Sequence, residues 1–137
     1  MKTTRTRTHT NKGFTIIELI FIIALLGIAS VLFFIQKNNL EIANRDDTRK
    51  TAINAMYYSL EEVYFKANGH YPQTIDSSVL PAVDPSLFTD PNGVKLGEAN
   101  SNYRYEPYDC TADQCKQYTL RTTLENEADY VKTNRSN

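Results

Sequence analysis

The sequence predicts an α+β fold in which one long N-terminal α-helix packs on a small antiparallel β-sheet. Three observations carry that reading. From Phe14 to Ile35 the chain is almost wholly apolar, with a single charge, Glu18. Beyond it Ile53, Met56, Leu60, Val63 and Ala67 recur at spacings of three and four, the period of one helix face. Further on, Tyr103-Arg104-Tyr105-Glu106 and Tyr118-Thr119-Leu120-Arg121-Thr122 alternate with the period of two expected of strands.

The 137 residues, 41% hydrophobic and 23% charged, suit one small domain plus a membrane segment. Four stretches follow in order: a basic leader (1–13), an apolar helix (14–35), an amphipathic helix (36–69) and a globular head (70–137). Charge is unevenly placed among them. The leader holds Lys2, Arg5, Arg7 and Lys12 and no acid, so its loss takes the formal net charge from −1 to −5. An acidic chain argues against generic nucleic-acid binding while leaving room for a local basic patch.

A helix needs about 20 apolar residues to cross a bilayer core, and the run from Phe14 to Ile35 is long enough. Helix is the state that satisfies its backbone in lipid. The charge is what needs explaining, because an acid at membrane depth costs on the order of 2.5–3.5 kcal/mol on insertion scales. An interfacial Glu snorkelling to the headgroups is the plain alternative.

Lys12-Gly13-Phe14-Thr15-Ile16-Ile17-Glu18-Leu19-Ile20, behind a basic leader and ahead of the apolar run, resembles the prepilin signature. That signature is shared by type IV pilins and by the pseudopilins of type II secretion and DNA-uptake machines. The resemblance implies that a prepilin peptidase cuts between Gly13 and Phe14 and methylates the new amine of Phe14. It implies a pilin-like fold, polymerisation into a homo-oligomeric helical filament, and dependence on a membrane assembly platform and its ATPases. Nucleic acid is a partner only if the filament is a DNA-uptake pilus. Glu18 of one subunit would neutralise the Phe14 amine of a neighbour, setting register, since a buried unpaired charge is strongly unfavourable.

The positive-inside tendency keeps the leader cytoplasmic and the head outside. The implied location is the cytoplasmic membrane before assembly, and an extracellular pilus or a periplasmic or cell-wall pseudopilus afterwards. An ordinary signal peptide cut near Gly27-Ile28-Ala29 fits less well, because the apolar run continues through Ile35.

Residues 36–68 read as the continuation of the same helix. Arg45, Asp46, Asp47, Arg49 and Lys50 form a mixed-charge neck expected to be solvated surface. Gly69 is the expected helix stop, with Pro72 behind it. Gly69-His70-Tyr71-Pro72 resembles a segment often found at the helix end in pseudopilins and some pilins, and a helix stop plus a turn accounts for it. Many pilins carry a Pro near the end of the apolar run; this chain has Ile35 there.

From Gln73 to Ser101 the chain reads as loop, punctuated by Pro81, Pro85 and Pro91, with Asp76 capping one helical turn and Asp90-Pro91-Asn92-Gly93 forming a tight turn. Cofactors are not expected. Asp84 and Asp90 lie where some major pseudopilins bind calcium, but EF-hand spacing is missing, and turn residues explain them. Cys110 and Cys115 flank a short loop between two strand candidates and read as a disulfide stapling a hairpin. A metal site has only two thiols to draw on. A third short strand is expected at Asp129-Tyr130-Val131. Tyr103, Tyr105 and Tyr108 have rings able to stack on bases or sugars, but the better expectation is that alternate ones face the helix.

Catalysis finds little support. His9 and His70 are the only histidines, and His9 leaves with the leader. No Gly-rich phosphate loop occurs, and Glu61-Glu62 read as solvated helix surface. Asn134-Arg135-Ser136 matches a glycosylation triplet, a low-specificity signal. The expectation is a structural subunit rather than an enzyme: a pilus-like filament subunit first, a secretion pseudopilin second. The other class is a single-pass anchored binding module that keeps its leader.

Overall fold

The first turn of α1 (Ile16–Tyr58) is capped from outside by Thr15, whose Oγ1 accepts the Glu18 N–H at 3.3 Å. The computed structural model describes residues 13–135; the leader cations, His9 and Ser136 of the glycosylation triplet lie outside the described residues. The chain divides into two compact units, one up to Asn38 and one from Asn39 onward.

The first unit is the apolar part of α1. Its large side chains are open: Phe14 is 73% exposed and Ile16 81%. Among the described residues this is one helix long and apolar enough to cross a membrane. Ser30 avoids a solvation penalty by donating its hydroxyl to the Leu26 carbonyl one turn back, at 2.7 Å.

The second unit is built on the polar half of α1. Helical structure continues through a π-helical turn (Ser59–Tyr64) into α2 (Phe65–Asn68). Gly69 ends it in the left-handed region, φ 73°, with its N–H donating to the Phe65 carbonyl at 2.8 Å. Against this lies a three-stranded antiparallel sheet ordered β1 (Tyr103–Thr111), β2 (Gln114–Thr122), β3 (Tyr130–Thr133). Both sequence-predicted strands are present and longer than the alternation suggested, meeting at a two-residue loop, Ala112-Asp113. Cys110 pairs with Cys115 across the ladder and the two form a disulfide. The third strand pairs Tyr130 with Thr122 and Val131 with Arg121.

The core forms where Ala52, Ile53, Met56 and Leu60 of the helix meet Tyr103, Cys115, Tyr118 and Leu120 of the sheet. The stretch before the sheet is more than loop: Tyr71, Leu80, Val83 and Phe88 enter the same core. Two aspartates order it. Asp76 accepts from the Ser78 and Val79 N–H groups, and Asp84 caps a 3-10 turn (Pro85–Phe88) that the sequence did not signal.

Two sequence expectations fail at the helix end. Val63 is 50% exposed and Ala67 is exposed, although their spacing predicts the packed face. The π turn is the reason: its extra residue rotates everything after Leu60, so Glu61 is buried, and Tyr64 and Phe65 take over the contact with the core. Uniform 3.6-residue periodicity does not survive such an insertion.

Candidate functional site

Gly13 and Phe14 precede the first turn of α1 and are both exposed; a Cβ built on Gly13 would meet nothing within 4 Å. Glu18 sits in the first helical turn, where the positive end of the helix dipole favours a carboxylate. An amine generated on Phe14 would lie about one turn away. The apolar side chains that follow are 38–81% exposed, as with Ile22 and Ile16 at the extremes, so lipid or other protein must cover them.

The polar machinery of the second unit is mostly buried, and sequence reasoning missed it. Asp46 and Arg49, read as solvated neck, are 3% and 1% exposed. Arg49 donates to Asp46 at 2.8 Å, to Glu125 at 2.9 Å and to Asp90 at 3.3 Å. Asp46 accepts the backbone N–H groups of Glu125 and Asn126, and Arg45 makes a two-pronged pair with Glu125 at 2.6 and 2.7 Å. The helix thereby holds two loops, one through Asp90 and one through Glu125. A guanidinium suits this role because its planar fork serves several carboxylates at once.

These contacts set the acidities. The hydrogen bond from Arg45, then that from Arg49, brings the Glu125 carboxyl down to about 2. Burial alone would raise Asp90, but the Asn92 N–H, Asn102 and Arg49 outweigh it and hold its carboxyl below the usual range. Burial beside Asp90 pushes the Tyr103 hydroxyl up to about 12.

A third buried acid lies in the π turn. Glu61, read as solvated surface, is 5% exposed and accepts the Tyr118 hydroxyl at 2.8 Å and the Tyr71 hydroxyl at 3.1 Å. Burial first, and the Glu61 carboxylate with it, raise both phenols above their ordinary value. Tyr71 also exchanges two backbone hydrogen bonds with Cys115, at 2.8 and 2.9 Å. Gly69-His70-Tyr71-Pro72 is thus more than a stop and a turn: it adds a bridge beside the hairpin and supplies the ring over Glu61.

Comparisons with protein-family models, curated proteins and solved structures gave no match.

Asp84 is occupied by the Ser86 N–H and hydroxyl, and Asp90 by Asn92, Asn102 and Arg49. Among the described residues no group of three or more His, Cys, Asp or Glu side chains is placed to hold a metal. Of the three tyrosines, Tyr103 is buried, Tyr105 partly so with its hydroxyl on the Pro72 carbonyl at 2.7 Å, and Tyr108 is 45% exposed. Arg49 and Asp46 did leave a signal. Counting back from Leu60, Met56 and Ile53 by alternate fours and threes reaches both, so they belong to the packed stripe.

Proposed function

We propose that this chain is a structural subunit of a type IV pilus-like filament, stored in the cytoplasmic membrane and polymerised through its N-terminal helix after cleavage between Gly13 and Phe14. The observation that carries the reading is Gly13-Phe14 followed by Glu18 at the head of a long, exposed apolar helix. A plain anchor has no use for an acid at that position. A polymer does, because a neighbour's Phe14 amine relieves the charge that lipid penalises. Moving the apolar segment from lipid to a protein core is roughly neutral in hydrophobic terms, so packing and that ion pair must drive association. The fold, one long helix on a small sheet, agrees with this use.

The head then forms the filament's outer surface, and its buried ionic and disulfide ties suit an exported domain. The partners are further copies of the chain, a prepilin peptidase, and an assembly platform with its ATPases. A secretion pseudopilus is the second reading: Gly69-His70-Tyr71-Pro72 leans toward a pseudopilin or a small pilin, and the Cys110–Cys115 hairpin toward a pilus. Intact mass from native cells, with fragmentation of the N-terminus, tests the proposal. Loss of residues 1–13 and one methyl on Phe14 is the expected result; a full-length chain, or one cut near Ala29, refutes it.

A further inference from the structure

A cleft of about 520 Å³ opens beyond the helix end, between Gly69 and Tyr71 on one side and the ends of all three strands on the other. That volume lies in the range of small-molecule sites. Its lining includes Lys116, Arg135, Gln117, Thr133 and Tyr108, and no acidic residue. The acids paired with these two cations, Glu62 and Asp109, lie outside that lining.

The cations are differently held. Arg135 is oriented by Glu62 and by the Tyr57 hydroxyl, over whose ring its guanidinium lies at 5.9 Å from the centroid. Lys116 is 74% exposed and reaches Asp109 only at 3.6 Å, too far for a good hydrogen bond, so its ammonium is open to a ligand. Tyr108 presents an exposed ring beside exposed Gln117 and Thr133. One cation without a close acid partner, a ring face and neutral hydrogen-bonding side chains match a sugar bearing a negative charge. Two cations on an acidic chain are too few for a polyphosphate backbone.

We propose that this cleft binds a small anionic saccharide, with Lys116 taking its acidic group and Tyr108 its ring. The inference does not depend on filament assembly. The test is calorimetric titration of the full chain in a polyoxyethylene detergent with glucuronic acid, glucose 6-phosphate and glucose. Saturable binding of at least one anionic sugar is expected, with Kd on the order of 1 mM, and glucose at least tenfold weaker; whichever anion binds tighter identifies a carboxylate or a phosphate as the group recognised. Lys116→Gln, at an exposed position, should weaken that binding at least fivefold, and Tyr108→Ala should weaken all three sugars. No saturation by either anion, glucose binding as well as the anions, or full affinity in Lys116→Gln would each overturn the assignment.

Discussion

Arg49 shows what a single buried charge can organise. Its guanidinium contacts Asp46, Asp90 and Glu125, joining the helix to two loops that are distant in sequence. Removing it leaves Asp46 and Asp90 buried without their cation, a change that typically costs about 3–5 kcal/mol. Arg49→Met should therefore lower the urea midpoint of the second unit by that equivalent, with the m-value unchanged. The same residues predict an acid response. Glu125 and Asp90 have folded pKa values below their unfolded ones, so their stabilisation is complete above pH about 4.5 and is lost as pH falls through the folded values, near 2 for Glu125. Thermal midpoints should fall steeply between pH 4.5 and 2, and Glu125→Gln should flatten that fall. A midpoint independent of pH across this window would contradict the account.

The π turn and the hairpin decide how the head closes. The extra residue in Ser59–Tyr64 turns Glu61 inward beneath Tyr71 and Tyr118 and moves Val63 out. Glu61→Leu should destabilise the fold by about 2–5 kcal/mol by stranding two buried hydroxyls, whereas Glu61→Gln, which keeps an acceptor, should cost much less. Equal losses in the two variants, measured by chemical denaturation, would show that packing rather than hydrogen bonding governs this site. The Cys110–Cys115 disulfide closes a loop with a sequence separation of 5. Chain-entropy reasoning gives about 2 kcal/mol for so short a loop, so reduction should lower stability by that amount while leaving the strands paired.

For the whole molecule, the two units differ in what holds them. The second has a shared core and buried ionic ties; the first exposes its apolar side chains and needs lipid or other protein to cover them. Substitutions in one should leave the other's behaviour intact. On the proposed filament function, Glu18→Leu should keep membrane insertion and the head's denaturation profile but deplete filaments in sheared extracellular material. Normal filament yield in that variant would remove the charge-pairing argument.

Elements were legible in the residues wherever a local pattern had one physical cause. The apolar run, the Gly69 stop, the alternating strands and the cysteine pair all follow from short-range chemistry, and the structure bears each of them out as an element. What stayed hidden depends on contacts between segments far apart in sequence. Arg45 to Lys50 look like any solvated charge run until Asp90 and Glu125 arrive from 41 and 76 residues beyond Arg49. Glu61 looks exposed on a regular helix, and only the π turn, stabilised by the tyrosines it faces, turns it inward. Local periodicity reports which face a residue shares; whether a charge on that face meets water or a partner is decided by the folded chain.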